Sequence, residues 1–347
     1  MNRLHNLDYL RGLAAFGIML YHHLSWTTGK MMSDSFMGRV GVYGVSIFYV
    51  LSGLTLYFVY FDKMTPTRKE ILAFTKKRIF RIFPLLWLAT FAAILLSGVM
   101  PDLMKLFLNL TGLFGFLKWD AYFSPGIWSI GNELVFYVFF PFFILFSKSF
   151  KPLMIALSAI IVGIYIYFAF FKLNQNIPIS EQWKDYINPL NQVFLFLGGY
   201  LIGYFFRTKS IPKIATFGAL GLGISLFVFY PVSGDPIHLV TGVARLVFTL
   251  CCFLVCFSFF KLTIELPSLL HKLFSFLGEA SYSVYLLHPL IFKLTLIAFT
   301  FCGNHFYVFP NWIQVVASIA STLVISYFVY HYFEKYFMKL GRSKTPI

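Results

Sequence analysis

The sequence has few charged residues for its length. Of its 347 residues, 12% are charged and 59% are hydrophobic, whereas charged residues make up about 25% of a soluble globular domain. No long polar block separates the apolar segments. This composition excludes an ordinary soluble domain and predicts an integral membrane protein.

Acidic residues are scarcer than basic ones, at 13 against 28, which gives a formal net charge of +15. Such an excess could indicate a nucleic-acid partner, but the basic residues lie in short segments between apolar runs. They do not form a stripe on a folded polar surface. We therefore expect a lipid bilayer around the chain and no nucleic acid bound to it.

Cysteine is also scarce. The four cysteines, Cys251, Cys252, Cys256 and Cys302, lie in apolar stretches, and no histidines follow them at zinc-binding intervals. They are interpreted as packing residues, and no metal site is predicted. No small-residue cleavage site follows the first apolar run, so that run is expected to be a retained helix and not a signal peptide.

Apolar runs long enough to span a bilayer recur along the whole sequence. Ten can be placed, near 8–26, 42–61, 80–99, 126–147, 152–171, 189–206, 211–231, 240–260, 277–300 and 311–333. The segment 103–118 is apolar enough to lie in or on the membrane interface. The predicted fold is an all-α polytopic bundle of about ten helices, forming one domain over residues 1–347.

The distribution of lysine and arginine predicts the orientation of this bundle. Twenty lie at the termini and in the loops after even-numbered helices, six lie in the opposite loops, and Arg245 and Lys293 lie within helices. Because cytoplasmic loops carry the excess of positive charge, both termini are expected in the cytoplasm.

The first apolar run, residues 7–23, contains an arginine and a histidine. Arg11 and His22 are eleven positions apart, so on a helix they share one face and lie roughly 16 Å apart along the axis. His23 points about 100° away from that face. Arg11 is therefore expected near the inner surface and His22 near the middle of the bilayer.

A basic run, residues 76–84, precedes the third predicted helix and contains Lys77, Arg78 and Arg81. Arginine binds phosphate in bidentate fashion, which favours a phosphorylated ligand from the cytosol. Binding of anionic lipid headgroups is an equally good interpretation of this run.

Two further segments place polar residues at membrane depth. Residues 126–143 contain Trp128, Asn132 and Glu133, and a carboxylate in such a segment is a functional candidate by default. The alternatives are an interfacial anchor for Trp128 and a structural partner of a buried Arg or His for Glu133. Residues 278–292 contain Tyr282 and His288, where a packing role for His288 is the simpler alternative.

Five ordered segments together resemble the acyltransferase-3 family of membrane O-acyltransferases. They are LDYLRGLAAFGIMLYHH, IFYVLSG, KKRIFRIFP, IWSIGNELVFY and LGEASYSVYLLHPL, and they extend over most of residues 7–334. The family's usual Glu-x-Pro near the end is replaced by Glu334-Lys335-Tyr336. The extracytoplasmic hydrolase-like domain of many relatives is expected to be absent.

The resemblance implies transfer of an acyl group, most often acetyl, from cytosolic acetyl-CoA to a hydroxyl of a cell-surface or lipid-linked carbohydrate. It implies a multi-pass protein of the bacterial cytoplasmic membrane. Neither acceptor, acyl chain nor oligomeric state follows from the sequence. In the site that this resemblance implies, the CoA phosphates are bound by Arg11, Lys77, Arg78 and Arg81. His22 is the general base or acyl carrier, and Glu133 is its partner. Further candidate site residues are Trp128, Ser129, Asn132, Tyr282 and His288.

A proton-coupled transporter is the main alternative, because buried His, Glu and Arg also suit a carrier. That function predicts uptake that needs no CoA. A scaffold that binds anionic lipid would explain the basic loops but would leave Glu133 and His22 without a role.

Overall fold

The computed structural model describes residues 5–262 and 266–342. Throughout these ranges the regular structure is helical and contains no strand. The predicted all-α fold is therefore confirmed. The α-helices are α1 His5–Thr28, α2 Phe36–Tyr60, α3 Arg68–Ser97, α4 Leu103–Thr111, α5 Phe114–Leu117, α6 Ile127–Ser149, α7 Lys151–Tyr167, α8 Trp183–Tyr186, α9 Pro189–Phe206, α10 Lys213–Phe229, α11 Gly242–Lys261, α12 Ser268–Glu279, α13 Ser281–His305, α14 Asn311–Phe328 and α15 Lys335–Leu340.

Short irregular helices extend two of these elements. A π-helical turn over Phe168–Lys172 continues α7, and a second over Val329–Glu334 joins α14 to α15. A 3₁₀ turn, Pro236–Leu239, precedes α11. The predicted interfacial segment 103–118 forms the two short helices α4 and α5.

Eight helical segments in the described residues are long and apolar enough to cross a membrane, so the chain is a multi-pass integral membrane protein. They contain α2, α3, α6, α7, α9, α11, α13 and α14. The other two predicted spans also form helices. However, α10 has only 17 residues, and α1 has 24 residues but contains Asp8, Arg11, His22 and His23, which lower its hydropathy.

Helix α3 begins about three turns earlier than its predicted span, at Arg68. The side chain of Thr67 caps it by accepting a hydrogen bond from the Glu70 N–H, at 3.4 Å. The Glu70 carboxylate in turn accepts a hydrogen bond from the Thr65 hydroxyl, at 3.0 Å. This Thr-x-x-Glu start resembles a capping box, and it places the basic run inside a continuous helix, where Arg78 and Arg81 share a face.

The ninth predicted span, 277–300, is two helices. Helix α12 ends at Glu279, Ala280 leaves the helical conformation with ψ near 5°, and α13 begins at Ser281. Helix α12 packs against α1, where Gly12 and Gly278 meet so closely that a Cβ on either would collide with the partner backbone. This contact fixes the first turn of α13 beside the arginine end of α1.

Helix α1 packs against α2, α12 and α13, and α2 runs along α9. The α2–α9 contact requires glycine, because a Cβ at Gly53 would collide with the Phe196 carbonyl and a Cβ at Gly199 with that of Val50. Close backbone approach through small residues is the usual way helices associate in membranes. The bundle thereby holds the polar face of α1 in a fixed position against α2 and α13.

Candidate functional site

A narrow cavity lies between α1, α2, α3, α6 and α13, and every one of these helices contributes polar side chains to it. Its volume is about 90 Å³. The lining residues are Arg11, Phe48, Tyr49, Ser52, Thr55, Leu56, Arg78, Arg81, Ile82, Ser129, Ile130, Glu133, Tyr137, Ser281, Tyr282 and Tyr285. All five of the sequence segments that carry the family resemblance therefore contribute residues to the cavity, and five of its lining residues are hydroxyl-bearing tyrosines or serines of α6 and α13.

Three arginines line one part of this cavity. Arg11 donates to the Asp8 carboxylate and to the Thr55 hydroxyl, both at 3.3 Å. Arg78 donates to the Tyr60 hydroxyl at 3.3 Å, and its Nε is buried without a hydrogen-bond partner in the part of the chain that the structure describes. Arg81 lies one turn further along α3.

Aromatic rings surround the guanidinium of Arg78. Its Cζ lies 5.5 to 5.7 Å from the ring centres of Phe74, Tyr137 and Tyr60, distances at which the ring faces attract a cation. The guanidinium is thus held in place, and one of its N–H groups remains available. Such a preorganised cation suits a phosphate or carboxylate ligand.

Glu133 is the only carboxylate among the residues that line the cavity, so the lining has an excess of positive charge. The carboxylate accepts a hydrogen bond from the Ser52 hydroxyl at 2.8 Å and a second, short one from Tyr137. Tyr137 follows Glu133 by one helical turn and therefore shares its face. Glu133 is therefore held by two other residues that line the cavity, Ser52 and Tyr137.

His22 is not among the cavity-lining residues, and its partner is another histidine. Its Nδ1 lies 2.9 Å from Nε2 of His288. Trp26 stacks on the His22 ring at 5.0 Å between ring centres, with the planes inclined by 15°. His23 points elsewhere, to the Met19 carbonyl and the Ser318 hydroxyl, both at 2.8 Å.

Glu133 and His22 have different hydrogen-bond partners in the part of the chain that the structure describes, and helix geometry explains their separation. Glu133 is held by Ser52, which lies eleven positions along α2 from Gly41. Gly41 packs against the ring of Tyr21, next to His22. At 1.5 Å per residue, the carboxylate is bound roughly 16 Å from the level of His22.

The tyrosines connect the two regions. Tyr285 lines the cavity, and its ring centre lies 6.1 Å from that of His288. The Tyr285 hydroxyl bonds to the Ser129 hydroxyl at 2.8 Å. One part of the cavity is therefore lined by arginines, and another lies one side chain from the histidine pair.

The sequence that forms this site matches a known family along almost the whole chain. The family profile described as an acyltransferase domain, acyltransferase-3, matches residues 4–331. The chain belongs to the acyltransferase-3 family. The resemblance found in the five segments is thereby confirmed.

The relatives of this chain include proteins named for O-acetyl transfer or for exopolysaccharide production. The exopolysaccharide production protein ExoZ of Rhizobium meliloti (strain 1021) is 25% identical, over 75% of this chain and 78% of its own. The peptidoglycan O-acetyltransferase OatA of Listeria monocytogenes is 24% identical, over 97% of this chain and 56% of its own. Six Staphylococcus aureus proteins are 23% identical over 98% of the chain, which spans 58% of their length.

The structure brings most of the predicted site residues of this family member together, in two groups. Arg11, Arg78, Arg81, Glu133, Ser129 and Tyr282 line the cavity, whereas His22 and His288 form the histidine pair. Lys77, which follows Lys76 on α3, does not line the cavity.

Two predicted candidates lie beside the cavity without lining it. Asn132 donates to the Tyr49 hydroxyl at 3.2 Å, and Trp128 packs on Trp183 with ring centres 5.6 Å apart. Trp128 is buried among these rings, so packing accounts for its conformation.

Some contributors were not predicted. Tyr137 could have been found, because it lies one turn after Glu133 on the same helical face. Tyr49 and Tyr285 had no distinguishing signal among 21 tyrosines. Glu334 is buried and accepts a short hydrogen bond from Ser283. No group of three or more His, Cys, Asp or Glu within residues 5–262 and 266–342 could hold a metal ion.

Proposed function

We propose that the protein transfers an acyl group, most often acetyl, from acyl-CoA to a hydroxyl of a cell-envelope carbohydrate. The observation that carries this proposal is the cavity that has three arginines along one part and Tyr285, beside the His22–His288 pair, along another. Acyl-CoA has phosphates in one part and a thioester in another, so its phosphates can lie at the arginines while its thioester lies near the histidine pair.

The arginines bind the anionic part of the donor. Arg11, Arg78 and Arg81 come from two helices and face one cavity, and guanidinium groups form strong charge-assisted hydrogen bonds with phosphate. The unsatisfied Nε of Arg78 adds a buried donor for an oxygen of the ligand. Glu133 offsets part of the positive charge and holds the Tyr137 hydroxyl.

The extended arm of the donor then places the thioester near His22. The roughly 16 Å between Arg11 and His22 along α1 is comparable with an extended pantetheine arm. Entry from the cytoplasm requires both termini inside, which the charge distribution predicts.

The chemistry needs one basic ring nitrogen. His22 removes the proton of the acceptor hydroxyl, and the oxygen attacks the thioester carbonyl. The C–S bond breaks, and the leaving thiolate takes the proton from the imidazolium. The products are the carbohydrate ester and free CoA. In a two-step route the same nitrogen attacks the thioester, the C–S bond breaks and CoA leaves as the thiolate. The acceptor hydroxyl then attacks the acyl-imidazolium, the C–N bond breaks, and the thiolate takes the hydroxyl proton.

Transfer is tested with purified protein in nanodiscs, [¹⁴C]acetyl-CoA and envelope polysaccharide from cells that lack the protein. Label in the polysaccharide and a mass increase of one acetyl group per acceptor site are expected. Uptake of a solute that needs no CoA, together with no labelled polysaccharide, would instead indicate a transporter. Lys77→Ala is the matched control for Arg78→Ala, because Lys77 precedes it on α3 but does not line the cavity.

The orientation and the bacterial cytoplasmic membrane as location are part of the proposal. In a variant without the four native cysteines, single cysteines at Lys69, in the first turn of α3, and at Lys118, directly after α5, test the orientation, because these positions are predicted on opposite sides of the membrane. In intact cells, a membrane-impermeant maleimide should label Lys118→Cys and leave Lys69→Cys unmodified. The reverse pattern would place the arginine cavity on the outer side and would exclude a cytosolic donor.

A further inference from the structure

A chain of two hydrogen bonds connects His22 to a backbone carbonyl. His288 Nδ1 lies 3.2 Å from the Val284 carbonyl oxygen, one helical turn earlier on α13. His288 Nε2 lies 2.9 Å from Nδ1 of His22. His288 is fully buried, and no carboxylate hydrogen-bonds to it in the described ranges.

The direction of these hydrogen bonds follows from the chemistry of the groups. A carbonyl oxygen only accepts, so His288 Nδ1 must carry the proton and donate. A neutral imidazole has one N–H, and a buried imidazolium without an acidic partner would be costly. His288 Nε2 is therefore an acceptor, and the proton between the two rings lies on His22 Nδ1.

The proton on His22 Nδ1 determines the state of the other ring nitrogen, Nε2. Once Nδ1 carries the proton of the neutral ring, Nε2 is unprotonated and has a free lone pair. We infer that His288 is a positioning residue that fixes His22 in the tautomer whose Nε2 is the base or acyl carrier. This inference rests on the proposed function for its role in acyl transfer, but the tautomer itself does not.

The ring geometry supports the inference. The planes of His22 and His288 differ by 19°, and their centres lie 5.0 Å apart although the bonded nitrogens are 2.9 Å apart. The two rings therefore meet nearly edge to edge, with the hydrogen bond close to both ring planes. Trp26 lies over the face of His22, with planes 15° apart, and restricts rotation of the ring.

His23 shows why the neighbouring histidine cannot take this role. Its Nδ1 donates to the Met19 carbonyl, and its Nε2 accepts from the Ser318 hydroxyl. Both nitrogens are engaged, and the ring is fully buried. His23 is therefore a matched control, a buried histidine one residue away whose hydrogen bonds do not reach His22.

The tautomer is measured by ¹⁵N NMR on histidine-labelled protein in nanodiscs, with the His22 signals assigned through His22→Asn. In the wild-type protein we expect His22 Nδ1 at the shift of a protonated nitrogen and Nε2 at that of an unprotonated one. In His288→Leu the two signals should average or exchange, whereas in His23→Gln they should stay as in the wild type. A protonated Nε2 in the wild-type protein would overturn the inference.

Activity tests whether the tautomer matters for transfer. His288→Leu should lower kcat by about 100-fold or more, comparable with the loss of general-base catalysis, with KM for acetyl-CoA unchanged. His288→Gln offers a carbonyl oxygen in place of Nε2 and should recover about 10-fold or more of that loss. Equal kcat in both variants and the wild type would overturn the positioning role. If the wild-type protein transfers no acyl group, the proposed function fails, and the NMR result still decides the tautomer.

Discussion

The arginine part of the cavity and the histidine pair differ in charge and in how their side chains are held. The arginine part presents three cations and one carboxylate around a space that a ligand can enter. The histidine pair is hydrogen-bonded to a backbone carbonyl through His288, and Trp26 stacks on the His22 ring. One region is built to attract an anion, and the other to hold one ring in one orientation. Substitutions in the two regions should therefore affect different kinetic constants.

His22→Ala should have the largest effect. Removing the base is expected to lower kcat by roughly 10²- to 10⁴-fold and to leave CoA binding intact, because the ring lies outside the arginine cavity. Acetyl transfer in nanodiscs measures kcat. Near-normal transfer by a properly inserted variant would contradict the role of His22.

The double variant Arg78→Ala with Arg81→Ala should come next. Hydrogen bonds to charged groups contribute about 1.5–3 kcal/mol each, so KM for acetyl-CoA should rise by at least about 10-fold. Lys77→Ala should leave KM unchanged. An equal rise in KM for both variants would mean that the basic run acts only through its overall charge.

Glu133→Gln sharpens the comparison between the two regions. The amide oxygen can still accept hydrogen bonds from Ser52 and Tyr137, so the wall of the cavity should persist. Because Glu133 is bound far from His22, we expect kcat to remain within about 10-fold of the wild type, unlike the loss on removing a base. A loss of kcat equal to that of His22→Ala would restore the direct pairing that the sequence suggested.

Gly53→Ala should have the smallest effect and should disturb the arginine cavity and the histidine pair alike, because it acts through the packing of α2 on α9. A Cβ there collides with the Phe196 carbonyl, and overpacking of this kind costs about 1–3 kcal/mol. The thermal unfolding temperature in detergent should fall, and kcat and KM should worsen in parallel. Gly163→Ala is the control, since a Cβ at Gly163 meets nothing within 4 Å.

Much of this architecture could be predicted from the sequence because bilayer thickness and hydropathy limit where helices lie. The motif residues Arg11, Arg78 and Arg81 were predicted as one group, and the structure places them around one cavity. The depth of Glu133 relative to His22 could not be predicted, because it depends on which residues of α1, α2 and α6 lie level with one another. The break at Ala280 depends on α12 packing against Gly12, a tertiary contact without a local signal.

The most direct test of the account is CoA binding by two variants in nanodiscs, measured by titration calorimetry beside the wild-type protein. Arg78→Ala with Arg81→Ala should bind CoA at least about 10-fold more weakly, whereas His22→Ala should bind it as tightly as the wild type while its kcat for acetyl transfer falls at least about 100-fold. Loss of CoA binding in His22→Ala, or unchanged binding in the double arginine variant, would contradict the division of the site into a donor-binding cavity and a separate histidine centre.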